Sequence, residues 1–472
     1  MKNILLYTGI GLLLTGTGCK KFIDVNQNKN QPLTVQESVL LGPIEYSVAH
    51  GTDGPGSATF DGEGDVSTYA QHIMQTICYN QVPINYGTYQ FVSTDFNITW
   101  SNIYNNGLIN LKTMIQEATV DGNTNYKAIG EILTAYELGF ATDMWGDIPY
   151  SRALNGASNY MPTYDPQASI YDSVQALLTR GIADAQLNAG VVPGPEDFFY
   201  NGKMAEWVKL AYSLEARYDM HLTKAPGMNA TTQSNLALTA LQNGMTVPGD
   251  AWKFGYPGGS TSQNPWYTVM LPLSTLVASE AIIDTLQAHN DPRLPMMIAP
   301  AQVSGTDTGR PIGYLTIGNL NAYSNLGPFY ASVGSTQYLM PYSEVLFIEA
   351  EANFRVSGVA AAQPYFTQAI TANMQLLGVA PGAIATYLAA RGTLTAGDAL
   401  EQIINEKRIA DFLSPENYND WRRTGFPTLQ IVPNAQQPGI PRRMLYPQSE
   451  VSTNPQPQQS ATMQDRVWWD AQ

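Results

Sequence analysis

Two stretches without helical periodicity combine aromatic rings with side-chain amides, a combination that suits the binding of a sugar. A sugar ring has an apolar face that an aromatic ring can cover and a rim of hydroxyls that amides can bind. Aromatic residues on irregular segments are informative because no helical core requires them there. Any one of these aromatic residues could instead anchor its loop to the core, which is the alternative to ligand contact. We predict ligand contacts from a first cluster in CYNQVPINYGTYQF and a second in GSTSQNPWYT: Tyr79, Asn80, Tyr86, Tyr89 and Phe91, then Asn264, Trp266 and Tyr267.

Motifs for other chemistries are weak or missing in the sequence. The histidines lack a metal-ligand spacing such as HExxH, and there is no GxSxG motif, no phosphate-binding loop and no Cys–His pair. Asp61, Glu63 and Asp65 alternate as in part of a calcium loop, but the ligands that should follow are missing. We therefore predict no cofactor, with calcium at this loop as the alternative. The many carboxylates leave a glycoside hydrolase open as a second class of protein.

Long stretches of helical periodicity must position these loops. They cover residues 98–118, 125–143, 168–187, 203–223, 338–356, 361–377 and 398–413. The residues at about 50–100, 225–335 and 414–472 are rich in Gly, Pro, Asn, Gln or aromatic residues and read as irregular. No regular series of alternating strands is present, so the sequence predicts a mainly α body.

One pair of predicted helices carries the spacing of a tetratricopeptide unit. Leu346 and Ala350 stand in the first helix, and Ala362, Phe366 and Ala369 follow at the intervals that such a unit needs. Small residues let the two helices approach closely, and the phenylalanine fills the gap between them. A single unit cannot bury its own faces, so other helix pairs are expected to stack beside it.

Two further motifs can be interpreted structurally. Trp145, in DMWGDIPYS, is predicted to be a core residue at a helix end, with Asp143 and Asp147 capping the turn backbone. Glu406 lies among isoleucines near the arginines of NDWRRTGFP, and we interpret this as a buried Glu–Arg pair that fixes the tail. Binding of an anionic ligand by these arginines is the alternative.

The N-terminus has the pattern of a bacterial lipoprotein signal. An apolar run from Ile4 to Leu14 is followed by small residues, Cys19 and two lysines. The run is too short to span a bilayer, which takes about 20 apolar residues, but it suits a secretory signal. We predict a signal peptide at 1–18, a lipid-anchored tether at 19–34 whose Cys19 carries fatty acids such as palmitate, and a single body at 35–472. Plain secretion is the alternative.

Composition narrows the class of ligand. Only 13% of the residues are charged, against about 25% in typical domains. The polar surface must therefore consist mostly of neutral hydrogen-bonding groups, which suit a neutral polyhydroxyl ligand. The net charge of −15 argues against nucleic acid, whose binders carry basic patches.

Several segments in order resemble one family of proteins. They include CKKFIDVNQN, ATDMWGDIPYS, WVKLAYSLEARYDMHLTK, YLMPYSEVLFIEAEA, IINEKRIADF, NDWRRTGFP and IPRRMLYPQSE. Together they resemble the SusD/RagB family, in the branch of SusD-like nutrient-binding outer-membrane lipoproteins, over nearly the whole mature chain.

The resemblance implies a fold and a role. It implies tetratricopeptide-like helix pairs that form a superhelical scaffold with a loop-rich ligand-binding subdomain. It also implies a non-enzymatic protein, lipid-anchored in the outer membrane on its extracellular face. Such a protein captures oligosaccharides and delivers them to a partner SusC-like TonB-dependent transporter. A receptor for peptides or other small nutrients on the same scaffold is the alternative.

Overall fold

The computed structural model describes residues 35–51, 66–81, 84–259, 262–270, 274–456 and 461–471. The predicted signal peptide, Cys19 and the acidic loop at Asp61–Asp65 lie outside these residues. The described α-helices are α1 (Glu37–Gly51), α2 (Val66–Ile73), α3 (Asn97–Ser101), α4 (Ile109–Asp121), α5 (Thr124–Trp145), α6 (Gln167–Leu187), α7 (Met204–His221), α8 (Ala230–Leu241), α9 (Pro265–Met270), α10 (Glu280–Ala288), α11 (Leu294–Met297), α12 (Tyr342–Ser357), α13 (Val359–Leu376), α14 (Pro381–Arg391), α15 (Ala399–Ala410), α16 (Glu416–Thr424) and α17 (Gln448–Thr453). The prediction of a mainly α fold is confirmed.

Short strands connect the irregular segments. They are β1 (Ile77–Tyr79), β2 (Trp252–Phe254), β3 (Leu276–Ala278), β4 (Ile298–Ala299), β5 (Asn325–Leu326) and β6 (Gln337–Met340). Within the described ranges they form three antiparallel pairs, β1 with β3, β2 with β6 and β4 with β5. The first pair places Tyr79 opposite Leu276, so it joins the segment of the first predicted cluster to the segment just after the second.

The scaffold is a series of helices that pack in the order of the chain. Helix α4 packs on α5, α5 on α6, α6 on α7 and α7 on α8. Helix α8 then packs on α12, and α12 packs on α13 and α15. Each helix thus buries its apolar face against its neighbours, as stacked helix pairs require.

The helix pair with the tetratricopeptide spacing forms as predicted. Leu346 and Ala350 on α12 are buried, and so are Ala362, Phe366 and Ala369 on α13. The three alanines carry little bulk between the two helices, and the ring of Phe366 fills the space that remains. These residues therefore contribute to the core through shape as well as through buried apolar area.

One glycine marks a very close approach between two helices of the scaffold. A Cβ atom built on Gly139 of α5 would lie 2.3 Å from the hydroxyl oxygen of Tyr218 on α7. The Tyr218 ring is buried, so it has little freedom to move away. The packing of α5 against α7 at this level therefore requires a residue without a side chain.

Helices α1, α8, α14 and α16 were not predicted from periodicity. Helix α1 contains Pro43, which breaks the pattern expected of a helix. Helix α16 is strongly polar, yet almost all of it is buried. Its charged side chains enter the interior because each finds an opposite charge or a carbonyl there, which a hydrophobic pattern does not reveal.

The C-terminal tail was predicted to be irregular, but it contains the short helices α16 and α17 and is anchored in the core. The Trp469 ring is fully buried, and its Nε1 donates to Oδ1 of Asp143 over 2.9 Å. The Arg422 guanidinium lies between the rings of Tyr418 and Trp469, 4.1 and 4.6 Å from their centroids. Cation–π contacts and hydrogen bonds thus hold the tail against the end of α5.

The structural expectation for Trp145 is confirmed, whereas Asp147 binds a backbone amide of a later segment and not that of its own turn. Trp145 is buried and its Nε1 donates to the Leu445 carbonyl, and Asp147 accepts from the Gln167 amide at the start of α6. Asp143, in contrast, accepts from side chains and so is not a simple turn cap.

The partner predicted for Glu406 is wrong. Its carboxylate is buried, but it accepts from Arg293 at 2.9 Å and from the Tyr387 hydroxyl at 2.6 Å. Arg423 pairs instead with Glu351 on α12 and with Asp420. The choice of partner depends on which helices pack together, and nearness in sequence does not determine it.

Candidate ligand-binding surface

The first predicted cluster forms a packed aromatic core below a surface loop. Tyr79, Asn80, Tyr86, Tyr89 and Phe91 are all buried. The Tyr86 and Phe91 rings stack with centroids 5.4 Å apart, and the Tyr79 and Tyr86 rings meet edge to face at 5.3 Å. Direct ligand contact by these five side chains stays a prediction, because their described contacts are those of loop-anchoring residues.

Asn80 links this core to a loop that is distant in sequence. Its Nδ2 donates to the carbonyls of Ser274 at 3.2 Å and Leu320 at 2.8 Å. Its Oδ1 accepts from Nη1 of Arg310 at 3.2 Å. A buried amide with its donors and acceptor used in this way fixes three chain segments relative to one another.

Arg310 extends the same network toward the surface. The side chain is buried, and its Nη2 donates to the carbonyls of Tyr314 at 3.2 Å and Thr316 at 2.9 Å. The guanidinium carbon lies 5.3 Å from the centroid of the Tyr323 ring. A charged group that binds backbone carbonyls holds a loop firmly without requiring any side chain from that loop.

The loop held by Arg310 presents apolar side chains to solvent. Tyr314, Leu315 and Ile317 are 55%, 47% and 43% exposed, and Thr316 between them is also exposed. We call residues 314–317 the Tyr314 platform. Three exposed apolar side chains within four residues make this loop a candidate binding surface.

Backbone geometry fixes the start of the Tyr314 platform. Gly313 has a φ of +76°, and a Cβ atom there would lie 2.2 Å from the Pro433 carbonyl oxygen. The Asn434 side-chain amide donates to the Gly313 carbonyl over 3.1 Å. Only glycine satisfies both the left-handed backbone and this close approach, so the platform has a rigid entry.

The described contacts of the second predicted cluster are mainly structural, and ligand contact by these three residues stays a prediction. Asn264 is buried, and its Oδ1 accepts from the amides of Trp266 at 2.8 Å and Tyr267 at 3.2 Å, which caps α9. Trp266 is buried beside Tyr338 in the wall of a cavity of about 50 Å³. Tyr267 is partly exposed.

The two predicted clusters lie on neighbouring elements. Helix α9, which carries Trp266 and Tyr267, contacts β3, and β3 pairs with β1. The sequence interpretation therefore located a region where irregular segments meet, but it did not find Arg310 or Tyr314. The sequence feature that indicates this loop is the run GYLTIG at 313–318, in which an aromatic and two aliphatic residues lie between glycines.

A buried triad of Asp143, His221 and Glu416 has the residue types of a metal site. Their ligand atoms lie within 4.8 Å of one another. His221 Nε2 is 2.8 Å from Glu416 Oε2, and Nδ1 is 3.2 Å from Asp143 Oδ2. Burial alone would lower the pKa of His221, but the two carboxylates outweigh it and raise the pKa to about 9. The His221 ring is therefore a protonated imidazolium, and each of its two nitrogens is paired with a carboxylate.

The chain matches the family described as "starch-binding associating with outer membrane", in its SusD-like group, over residues 29–447. The protein belongs to this SusD-like family. No curated protein matches the chain. Among the described helices, none combines the length and the apolar character that a membrane crossing requires.

Solved structures show the same SusD-like fold at low sequence identity. A chitin-binding protein is 24% identical, with a TM-score of 0.79 over 93% of this chain and 100% of its own. A SusD/RagB family protein from Bacteroides thetaiotaomicron is 23% identical, with a TM-score of 0.79 and coverage of 93% and 99%. A chitin-binding SusD homolog from Flavobacterium johnsoniae is 22% identical, with a TM-score of 0.77 and coverage of 92% and 98%.

Proposed function

We propose that this SusD-like protein is a non-catalytic, lipid-anchored receptor that captures oligosaccharides and delivers them to a SusC-like TonB-dependent transporter. The observation that carries the ligand class is the Tyr314 platform, where an exposed aromatic ring stands on a firmly held loop. An aromatic face is the group that covers the apolar face of a sugar.

The surroundings of the Tyr314 platform favour a neutral ligand. The positive charge of Arg310 is buried and engaged with backbone carbonyls and with Asn80. The exposed polar side chains nearby in the sequence are Thr316, Asn319 and Asn321. Hydroxyl and amide groups of this kind bind sugar hydroxyls without the desolvation cost of a charged group.

The comparisons support carbohydrate as the ligand class. The description of the family refers to starch, and two of the similar structures are described as chitin-binding. These descriptions refer to other proteins, and they differ in the sugar. For this chain we propose an oligosaccharide, and we leave its sugar units to be identified by experiment.

The proposed location depends on Cys19 and on the family. The family is described as associated with the outer membrane, and the sequence predicts that Cys19 is acylated. Two or more fatty acids hold a protein firmly at a membrane, whereas one gives only marginal binding. Anchoring would also raise the local concentration of the receptor at the mouth of its transporter.

Isothermal titration of the mature protein against defined oligosaccharides tests the ligand class. We expect binding to at least one series of neutral oligosaccharides, such as malto- or chito-oligosaccharides, and no shortened products after prolonged incubation. Binding to peptides alone would replace the glycan with the peptide alternative. Release of shortened sugars would indicate a glycoside hydrolase instead.

Purification from outer membranes tests the delivery step. A tagged receptor, solubilised in mild detergent, should copurify with a TonB-dependent transporter in near-equal amount. A receptor that carries oligosaccharide but never copurifies with a transporter would contradict delivery while leaving ligand capture intact.

A further inference from the structure

The protein has a wide surface groove that is lined by residues other than those of the Tyr314 platform. Its volume is about 780 Å³, within the usual range of roughly 300–1,000 Å³ for ligand sites. Its walls are the segment from α3 through the π-helix (Asn102–Leu108), the loop at 149–162 and helix α17. We call it the Asn105 groove.

One wall of the Asn105 groove is a distorted helix. Asn102 and Asn105, both in the π-helical segment, line the groove beside Ser101. Asn105 is exposed and its Nδ2 donates to Ser101 Oγ over 3.0 Å. π-Helical turns are rare and frequently occur at functional sites, because they widen the helix and redirect its side chains.

The opposite wall is a loop that side-chain hydrogen bonds hold in place. The side-chain amides of Asn155 and Asn159 both donate to the Arg152 carbonyl, at 3.0 and 2.9 Å. Lys112 donates to Asn155 Oδ1 over 2.9 Å. Tyr160 ends this loop and lines the groove with a ring that is 75% exposed. The loop is thus ordered while its aromatic residue stays accessible.

The floor of the Asn105 groove is rigid and aromatic. The edges of Trp100 and Tyr104 line it, and both rings are otherwise buried. The Trp100 ring meets Trp145 at 5.2 Å, edge to face, and the Tyr104 hydroxyl donates to the Pro149 carbonyl over 2.9 Å. A ligand would therefore meet a preformed surface, which lowers the entropic cost of binding.

The lining of the groove carries little charge, which favours a neutral ligand. Among the described residues that line the groove there is no lysine, arginine or histidine, and the one carboxylate is Glu450. That carboxylate already accepts from Tyr164 and Asn454, each over 2.9 Å. The remaining polar groups are side-chain amides and hydroxyls, which match a neutral polyhydroxyl ligand.

We propose that the Asn105 groove is a second carbohydrate site, which binds a neutral oligosaccharide segment independently of the Tyr314 platform. The Tyr160 ring covers one sugar face, while Asn105, Asn102 and Asn159 bind hydroxyls. The lining of the groove indicates the class of ligand. This second site rests on the proposed function in one respect, which is that both sites bind neutral sugars.

Titration of groove variants of the full mature chain tests the second site. Tyr160→Ala and Asn105→Ala remove exposed side chains, so both proteins should fold. The matched control for Asn105 is Asn235→Ala, an exposed asparagine on α8 that lies outside the groove. The matched comparison for Tyr160 is Tyr314→Ala, which alters the other exposed loop tyrosine. Each protein is titrated with the oligosaccharide that the wild type binds best.

We expect two binding events in the wild type, and a roughly tenfold loss of affinity in one of them for Tyr160→Ala and Asn105→Ala. Asn235→Ala should leave both events unchanged, and Tyr314→Ala should weaken only the other one. If Tyr314→Ala abolishes all binding while the groove variants bind like the wild type, the second site is wrong and the proposed function stands.

Hydrogen exchange locates the ligand independently of affinity. The oligosaccharide should slow amide exchange in residues 101–110 and 151–160, and Tyr160→Ala should remove that protection. Protection that appears with peptides and not with sugars would overturn the assignment to carbohydrate. A wild type that binds no neutral oligosaccharide would overturn both the proposed function and this second site.

Discussion

At the scale of single residues, buried side chains hold the loops in place, and exposed side chains are the ones proposed to contact the ligand. The aromatic residues that were predicted to contact a ligand are buried, apart from the partly exposed Tyr267, whereas Tyr314 and Tyr160 are 55% and 75% exposed. Arg310 donates to the Thr316 carbonyl of the Tyr314 platform, and the Asn159 side chain donates to the Arg152 carbonyl in the loop that carries Tyr160. We therefore expect recognition by this protein to depend on a few exposed side chains on loops that buried residues hold in place.

Replacing Tyr314 by alanine should weaken oligosaccharide binding at the platform. Removal of a well-placed aromatic anchor costs roughly tenfold or more in affinity. The measurement is calorimetric titration with the best oligosaccharide, and thermal unfolding should be unchanged because the side chain is 55% exposed. Phe198→Ala is the matched control, since Phe198 is another loop aromatic and is 51% exposed. Equal loss in both variants would contradict a specific role of the platform.

The buried imidazolium of His221 should make stability depend on pH. Asp143 and Glu416 overcome the opposing effect of burial and raise its pKa from 6.5 to about 9. The pairing is fully present below pH 6.5 and is lost as the pH rises through 9, so the free energy of unfolding should fall by about 3 kcal/mol over that range. The measurement is urea unfolding at several pH values.

His221→Gln provides the control for this dependence on pH. It removes the titrating group while keeping a side chain that can donate to one carboxylate. The variant should be less stable than the wild type at pH 6, and the two curves should converge toward pH 9. Parallel curves over the whole range would show that another group causes the dependence.

At the scale of elements, the helices of the scaffold are held by close contact and by buried charge. Gly139 lets α5 approach α7, and Arg423 joins α16 to α12 through Glu351. For a chain with only 13% charged residues, the interior holds many ion pairs. Breaking a buried pair by removing one partner is strongly destabilising, so these pairs specify which helices meet.

Two glycine substitutions should have opposite effects on stability. Gly139→Ala places a methyl group against the Tyr218 hydroxyl, and we expect a loss of about 1–3 kcal/mol or more from overpacking. Gly382→Ala, within α14, meets no atom within 4 Å and should stabilise by about 0.5–1 kcal/mol. Chemical denaturation measures both. A neutral Gly139→Ala variant would show that α5 and α7 can separate without cost.

At the scale of the whole molecule, the helices form a scaffold and the loops carry the proposed binding surfaces. The stacked helices α4–α8, α12 and α13 form the frame. The Tyr314 platform belongs to an irregular region joined by two-stranded pairings, and the Asn105 groove lies where the π-helix meets the loop at 149–162. Both proposed sites are therefore ordered surfaces on a rigid frame, which suits a receptor that binds without chemistry.

Replacing Cys19 by alanine should release the protein from the membrane. Without acylation the chain loses the lipid anchor predicted at Cys19, so fractionation should find much less of it with the membrane than of the wild type. Cys78→Ala is the matched control, because Cys78 is buried and burial raises the pKa of its thiol to about 12. The Cys78 variant should stay with the membrane, and membrane retention of both variants would contradict the lipid anchor.

The sequence by itself determined the helical class, the positions of the long helices and the shape-based pairing of α12 with α13. These features depend on local periodicity and on small residues at regular spacing, so they can be recognised along the chain. The sequence also pointed to the neighbourhood of the proposed Tyr314 platform, because Asn80 of the first predicted cluster is hydrogen-bonded to Arg310, which holds that loop. The family followed from several motifs in order, and the match over residues 29–447 confirms it.

Only the tertiary structure decided which of those residues reach the surface. Tyr86 and Tyr314 both lie in segments predicted to be irregular, but Tyr86 is packed against Tyr79 and Phe91 while Tyr314 is exposed. The partner of Glu406 and the burial of α16 were likewise decided by long-range contacts. Exposure and ion pairing depend on what the rest of the chain brings against a residue, and local sequence carries no record of that.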